Sequence, residues 1–268
     1  MREMTRVQAG RMAAMNRRVW DTISDPWQRR QDGGYGWRFF KRGGSVITVE
    51  VHRLMGPVKR LALLDMQCGS GEAALSWANR GARVTGVDIS ERRLVEARKK
   101  AEIAGRKITY VRGNVVRLPF RNGTFDRIYT GGGIVGWIPD VNRWAREIAL
   151  VLKPGGRFVY DCNHPFTLCI TEGRGRLPVL ARARGGYFDS RPLAYYSMTT
   201  WMKTKRRVAQ VERNWSMSAL LNALSGAGLR LVRVEEFPED SGLGRAPLPG
   251  PWRRAFPVGL AMRWDKPR

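Results

Sequence analysis

An acidic residue and a glycine-containing loop stand together in the first half of the chain, and a second acidic residue follows them. The apolar run 61–64 ends in Asp65, the loop 67–71 reads Gln-Cys-Gly-Ser-Gly, and the next apolar run ends in Asp88. Glycine lets a backbone approach a ligand closely, and a carboxylate at the tip of the next strand can accept hydrogen bonds from both hydroxyls of a ribose. The spacing therefore indicates a site for a ligand that contains a nucleoside, a description that fits more than one cofactor.

The loop and the residue before it bear on whether the ligand is a dinucleotide. A dinucleotide fingerprint places a third glycine inside the helix, three residues after the second; this chain has Ala74 there, so a G-x-G-x-x-A form of the fingerprint stays possible. A carboxylate directly before the loop, here Asp65, has no cation to pair with in a dinucleotide site but suits a ligand that carries an ammonium group. A dehydrogenase is therefore the least favoured interpretation.

The loop resembles the first motif of the class I S-adenosylmethionine-dependent methyltransferases, an acidic residue followed by x-G-x-G-x-G. Gln67 stands where that family most often has its first glycine. The resemblance covers residues 58–165 closely and continues, in the family's order, through Gly113-Asn114-Val115, Leu118-Pro119-Phe120, Phe125-Asp126-Arg127-Ile128-Tyr129, Gly136-Trp137-Ile138-Pro139-Asp140 and Leu152-Lys153-Pro154-Gly155-Gly156-Arg157-Phe158.

The resemblance implies S-adenosylmethionine as the cofactor and gives individual residues roles in binding it. Asp65 would orient the amino group of the methionine moiety, Asp88 would accept from the ribose hydroxyls, and Ile89 would pack on the adenine. Asn114 would hydrogen-bond the adenine edge, and Thr130 would face the methyl donor. The full set of expected cofactor-binding residues is Asp65, Gln67, Gly69, Gly71, Asp88, Ile89, Asn114, Val115, Thr130 and Gly131.

Methyl transfer from a sulfonium needs positioning more than covalent help, and sometimes the removal of a proton. His164 follows the predicted fifth strand and is the candidate base, since histidine can take up a proton near neutral pH; packing or capping is the alternative role. The favoured function is methylation of a small-molecule acceptor. An RNA methyltransferase is the alternative, and a non-catalytic nucleic-acid-binding module is less favoured.

Composition bears on the partner of the protein and on its compartment. The chain has 268 residues, with 48 basic and 23 acidic side chains and a net charge of +25. This charge fits either RNA or another polyanion, or an arginine-rich composition without such a partner. The chain contains no apolar run long enough to span a membrane. The three cysteines (Cys68, Cys162 and Cys169) lack zinc-ligand spacing, so we expect a reduced, cytoplasmic protein without a metal site.

The pattern predicts an α/β fold with one doubly wound, mostly parallel sheet, and the resemblance implies seven strands in a Rossmann-like methyltransferase arrangement. We expect an N-terminal helical lid over residues 1–57 and a methyltransferase domain over 58–268, with 163–214 as an acceptor-side insertion. The lid should contain a helix over 8–24 that ends at Asp25-Pro26, and a second helix over 46–55. The aromatic pairs 187–188 and 195–196 should line the acceptor pocket, with His164 at its floor.

The predicted strands are 61–66, 83–88, 108–112, 125–130 and 157–162, which alternate with helices over 72–79, 91–104 and 140–152. After the insertion, a helix over 215–228 should precede an antiparallel pair formed by 229–237 and 257–264 at the end of the sheet.

Overall fold

A seven-stranded sheet forms the centre of the protein. The computed structural model describes residues 4–32, 36–132, 134–172, 178–180, 186–238 and 257–268. The strands are β1 Ala62–Met66, β2 Arg83–Asp88, β3 Thr109–Arg112, β4 Phe125–Gly131, β5 Leu152–Asn163, β10 Arg230–Phe237 and β11 Gly259–Asp265. The strand order is β10-β11-β5-β4-β1-β2-β3, in which β1 to β5 run parallel and β11 runs antiparallel to both of its neighbours, β5 and β10. The doubly wound α/β prediction is confirmed, including the terminal antiparallel pair.

Helices cover both faces of this sheet, as buried parallel strands require. The helices are α1 Arg6–Asp32, α2 Trp37–Lys41, α3 Val49–Met55, α4 Glu72–Asn79, α5 Glu91–Ile103, α6 Val141–Val151, α7 Ser197–Trp201 and α8 Met217–Gly226. Helices α6 and α8 pack on one face through side chains such as Trp144 and Leu220, and α3, α4 and α5 pack on the other through Val51, Leu75 and Leu94. Within the described ranges, no helix is both long and apolar enough to cross a membrane.

The first helix is longer than the sequence pattern predicts. The predicted end at Asp25-Pro26 is wrong, since α1 runs through Pro26 to Asp32. Proline removes one helical hydrogen bond and crowds the preceding turn, which usually ends a helix. Here contacts on either side of the proline hold the helix together, because Ile23 is fully buried and Trp27 packs in the same cluster as Met202. Tertiary packing has outweighed the local signal.

The segment between α1 and β1 also differs from the prediction. Beyond the two helices predicted for the lid, the structure has a short helix α2 that begins at Trp37; residues 33–35 lie outside the described residues. The helix expected over 46–55 begins only at Val49. Thr48 sets this start, since its side chain accepts a hydrogen bond from the Val51 N–H.

The insertion after β5 forms two small antiparallel pairs in its described parts. Strands β6 Ile170–Glu172 and β7 Pro178–Leu180 form one pair, and β8 Leu193–Tyr195 and β9 Gln210–Glu212 form the other. The prediction that both aromatic pairs line the acceptor pocket is wrong for two of the rings. The Phe188 side chain is 87% exposed and Tyr196 is 51% exposed, because both project from the surface of the insertion.

Candidate active site

The loop that joins β1 to α4 has a left-handed backbone at three positions. The φ angles of Gln67, Gly69 and Gly71 are 55°, 54° and 85°. A Cβ on Gly71 would lie 2.5 Å from the Tyr110 hydroxyl oxygen, so only glycine fits there. Gln67 adopts its left-handed conformation at a cost of about 1–2 kcal/mol, which a glycine would avoid. The chain therefore forms the family's tight turn without the first glycine of the family's motif.

Asp88 ends β2 and faces this loop. Its Oδ2 accepts the Gly69 N–H at 2.9 Å, and its Oδ1 accepts the Ser90 N–H at 2.9 Å. Burial raises the pKa of Asp88, while the backbone N–H groups of Ser90, Gly69 and Ile89 and the charge of Arg93 act in the opposite direction. These groups fix the carboxylate in position, and its remaining lone-pair capacity can accept from ligand hydroxyls.

Asp65 is the second acidic residue at this edge of the sheet. It is 1% exposed, and its Oδ2 has no hydrogen-bond partner among the described residues. Burial raises the pKa of Asp65 well above its usual value, and the neighbouring carboxylates of Glu72 and Asp88 raise it further. A buried carboxylate oxygen without a partner is costly unless a ligand supplies a donor. A cationic ligand group would meet this need.

Three further charged side chains lie beneath the loop, and the sequence interpretation gave none of them a role. Glu72 forms an ion pair with Lys100 and accepts a hydrogen bond from the Ser70 hydroxyl at 2.8 Å. Burial alone would raise the pKa of Glu72, but the charges of Lys100 and Arg93 outweigh burial and lower it. Arg93 and Lys100 share a buried stripe of α5 with Leu94, Ala97 and Ala101. That helical spacing was the available signal, since it places charged residues among core positions.

A cavity of about 280 Å³ opens beside the tips of β2 and β3. Ile89 and Asn114, two of the expected adenine-binding residues, line it together with Arg112, Gly113 and the α1 residues Ala13, Ala14 and Arg17. Asn114 Oδ1 accepts the Val116 N–H at 3.2 Å, which leaves its amide NH₂ and one lone pair. Val115 packs instead in the core on the α6 face. The sequence predicts a lid over residues 1–57 but does not indicate which α1 side chains face this cavity.

The tip of β4 lies next to the loop. The Thr130 hydroxyl donates to the Met66 carbonyl at 3.1 Å, which ties β4 to β1. At Gly131 a Cβ would overlap the Tyr129 hydroxyl, so glycine keeps this strand tip open. The sheet register therefore brings Asp65, the loop and the expected residues Thr130 and Gly131 to one carboxyl edge, where open α/β sheets bind ligands.

His164 lies just beyond β5, and both of its ring nitrogens have partners. Its Nδ1 accepts the Phe166 N–H at 3.2 Å, and its Nε2 lies 3.0 Å from the Glu236 carboxylate of β10. Burial lowers the pKa of His164, while Glu236 acts to raise it. The structure therefore directs the ring towards β10 and holds it by hydrogen bonds on both sides.

A second cavity, of about 470 Å³, separates α1 from the insertion. Its apolar lining includes Met12, Met15 and Val211, and Arg11 and Arg191 stand among its polar residues. His164, expected at the pocket floor, is not among the described residues that line this cavity. The cavity lies beside the turn that follows β4, because the N–H of its lining residue Arg213, directly after β9, donates to the Gly136 carbonyl at 2.9 Å.

Helix α1 crosses the carboxyl edge of the sheet and connects the two cavities. The Ser90 hydroxyl donates to Asp21 of α1 at 2.6 Å. The Asn16 side chain bonds both the N–H and the carbonyl of Val211 in β9. The Trp20 ring lies 4.9 Å from the Trp137 ring, on the turn that follows β4. The helix therefore closes over the loop, the strand tips and the insertion at once.

Comparison with known proteins agrees with this geometry. A family model described as a methyltransferase domain matches residues 64–160. The chain is 35% identical over 163 residues to a demethylmenaquinone methyltransferase of Lactococcus lactis, a match that covers 56% of this chain and 61% of that protein. A demethylmenaquinone methyltransferase of Staphylococcus aureus is 31% identical over 160 residues, with 56% and 62% covered. The matched segment therefore spans less than two thirds of these relatives.

Solved structures share the fold over more of the chain. A crystal structure of an S-adenosylmethionine dependent methyltransferase from Mesorhizobium loti is 25% identical, with a TM-score of 0.62. That similarity covers 81% of this chain and 96% of the other. A geranyl diphosphate C-methyltransferase from Streptomyces coelicolor A3(2) has a TM-score of 0.57 at 16% identity, with 81% and 77% covered, and supports the fold alone.

Proposed function

Since this chain carries a methyltransferase domain of the class I, S-adenosylmethionine-dependent family, we propose that it transfers a methyl group to a small-molecule acceptor by in-line displacement. The observation that carries the proposal is the pair of buried carboxylates at the tips of β1 and β2. Asp65 has an oxygen without a partner among the described residues, and Asp88 is held by two backbone N–H groups.

The residues present fit S-adenosylmethionine. The unpartnered oxygen of Asp65 would receive the ammonium group, and the free lone pairs of Asp88 would receive the ribose hydroxyls. The left-handed turn at Gly69 and Gly71 would present its backbone to the ligand, while Arg93 and Tyr110 fill the space that a Cβ would need at these two positions. The cavity beside Ile89 and Asn114 has polar and apolar walls suited to an adenine.

When bound, S-adenosylmethionine supplies a methyl group on a sulfonium, whose leaving group is a neutral thioether. The protein's task is then orientation and the exclusion of water, and most of the rate can come from such positioning. Asp65 and Asp88 hold two polar ends of the donor, and Thr130 keeps the β4 tip in register with β1. Helix α1 covers the site, and Trp20 against Trp137 closes it next to the β4 tip.

We assign the acceptor to the cavity of about 470 Å³ between α1 and the insertion. A cavity of this size suits a small organic molecule. Its mainly apolar walls favour an apolar body, and the relatives are named for a small-molecule acceptor. A Val211→Trp variant should fill the cavity and raise the KM for the acceptor at least tenfold, with the affinity for S-adenosylhomocysteine unchanged. Weaker donor binding with an unchanged acceptor KM would refute the assignment.

For His164 we propose the packing and capping role, at the end of β5, in place of the role of base predicted from the sequence. A base needs a free lone pair, but Nδ1 already accepts the Phe166 N–H and Nε2 faces Glu236. His164→Asn should therefore lower kcat by less than about tenfold. Loss of a general base would instead lower the rate by about 10²–10⁴ with donor binding preserved, and that result would restore the catalytic role.

The acceptor class can be tested by following a labelled methyl group. The chain is incubated with methyl-labelled S-adenosylmethionine and, separately, with a small-molecule extract or with total RNA. We expect label in the small-molecule fraction, and less label in that fraction with an Asp88→Ala variant at the same donor concentration. Label confined to nuclease-sensitive polymer would overturn the small-molecule proposal in favour of an RNA methyltransferase.

A further inference from the structure

A buried arginine lies at the donor site, and none of the roles above uses it. Arg93 stands in the first turn of α5 and is 6% exposed. A Cβ on Gly69 would lie 2.7 Å from its Nη2, so the guanidinium group lies against the donor loop. Its Nε and Nη1 have no hydrogen-bond partner in the part of the chain that the structure describes. A buried cation with unsatisfied donors must be offset by its surroundings.

Aromatic rings and carboxylates provide that offset from opposite sides. The guanidinium carbon lies 5.3 Å from the ring centroid of Trp20 and 5.3 Å from that of Trp27, both on α1 and both in cation–π range. On the other side, the charges of Glu72 and Asp88 stabilise the cation. Arg93 therefore contacts the helix that covers the donor site and lies in the electrostatic field of the ribose-binding carboxylate.

We propose that Arg93 is a positioning residue that couples occupation of Asp88 by the donor ribose to closure of α1. The inference rests on the proposed function, since it concerns the same donor site. A ribose on Asp88 adds to the backbone contacts that already hold this carboxylate, the charge of the carboxylate attracts the guanidinium against the Gly69 loop, and the guanidinium holds the two indole rings of α1. An exposed, solvated arginine could not transmit this order, because water would screen its charge.

The neighbouring residue is a matched control. Arg92 lies on the same turn of α5 and also reaches α1, where it pairs with Asp25 at 2.8 Å. Both partners of this pair are more than half exposed, and such pairs contribute little to stability. Arg92→Met therefore removes an arginine between the same two helices without changing the donor loop or Asp88.

The test combines donor affinity with the accessibility of α1. Trypsin can cleave after the exposed Arg18 and Arg29 of α1, and the cleavage rate is measured with and without saturating S-adenosylhomocysteine. In the unaltered chain and in Arg92→Met, the ligand should slow cleavage about tenfold. In Arg93→Met the affinity should fall about tenfold, and saturating ligand should no longer protect α1. Arg93→Lys restores the charge and should recover at least half of the lost affinity on a logarithmic scale.

The outcomes separate this inference from the proposed function. If the unaltered chain binds no S-adenosylhomocysteine, the proposed function itself fails. If the unaltered chain binds it and Arg93→Met keeps both the affinity and the protection, only the inference about Arg93 fails, even if the melting temperature falls. Failure of Arg93→Lys to recover affinity would also contradict it. Should Arg93→Met fail to fold, Arg93→Gln keeps a polar head without the charge and is held to the same criteria.

Discussion

The proposed ribose-binding role of Asp88 leads to a quantitative prediction for Asp88→Ala. The substitution removes the acceptor for two ribose hydroxyls, and hydrogen bonds to a charged group contribute about 1.5–3 kcal/mol each. Because burial raises the pKa of Asp88, part of the free energy of these hydrogen bonds offsets the cost of keeping the buried carboxylate ionised. We therefore expect a net loss of about 1–3 kcal/mol in binding S-adenosylhomocysteine, or about 5- to 150-fold in Kd.

The same substitution should also lower stability. The Gly69 and Ser90 N–H groups lose their acceptor, and water can enter to replace it only in part. This should cost about 1–3 kcal/mol and lower Tm by about 2–4 °C per kcal/mol. Calorimetric titration with S-adenosylhomocysteine at 25 °C and thermal melts measure the two effects separately.

Asp126→Ala is the matched control for this experiment. Asp126 lies near the start of β4, where it accepts the Ala62 N–H at 2.8 Å and pairs with Lys153 at 2.7 Å. Its loss should lower Tm without changing the affinity, because it lies at the opposite edge of the sheet. A Kd for Asp88→Ala within twofold of the unaltered chain, or an equal loss of affinity in both variants, would refute the ribose assignment.

Three further predictions concern the pH dependence of donor binding, the donor loop and RNA binding. Donor affinity should fall as the pH is lowered, because burial raises the pKa values of both Asp65 and Asp88 and each carboxylate must be ionised to receive its ligand group. At pH values below these pKa values, binding titrations should show about a tenfold loss of affinity per pH unit for each group. An affinity that stays flat or rises on acidification would contradict this prediction. Gly71→Ala should abolish measurable donor binding and lower Tm, because the new Cβ would lie 2.5 Å from the Tyr110 hydroxyl at a φ of 85°. Unchanged binding by calorimetry would contradict the role of this loop in holding the donor. RNA binding, measured by gel shift over a salt series, should be weak and unaffected by charge reversal at Arg206-Arg207 or at Arg253-Arg254, of which the second pair lies outside the described residues. A steep salt dependence that these reversals reduce would favour RNA as the acceptor.

Sequence periodicity was sufficient for the sheet and its crossover helices. The bounds predicted for α4 and β2, 72–79 and 83–88, are those observed, because apolar period, glycine turns and helix caps agree in that region. The cofactor class was also predictable, since the loop, Asp65 and Asp88 are close in sequence and the later motifs follow in order. The comparisons agree with the methyltransferase resemblance over residues 64–160 and with the predicted fold.

What sequence could not give depends on contacts between distant segments. The continuation of α1 through Pro26 depends on packing against the insertion, which no local pattern encodes. The engagement of His164 depends on Glu236, which β10 brings to it only in the folded sheet. The sequence pattern assigned no role to Arg93, and only the docking of α1 places its guanidinium against two indole rings. Cys68 behaves as a packing residue, since it is buried in the core on the α4 face.

The most direct test of the account is a calorimetric comparison of two ligands on the purified chain. S-adenosylhomocysteine and NAD⁺ both contain an adenosine, but only the former presents an ammonium group to Asp65. We expect S-adenosylhomocysteine to bind with one site per chain and NAD⁺ to give no measurable heat. Binding of NAD⁺, or no binding of S-adenosylhomocysteine by a folded sample, would contradict the assignment of this loop and its two carboxylates as a methyl-donor site.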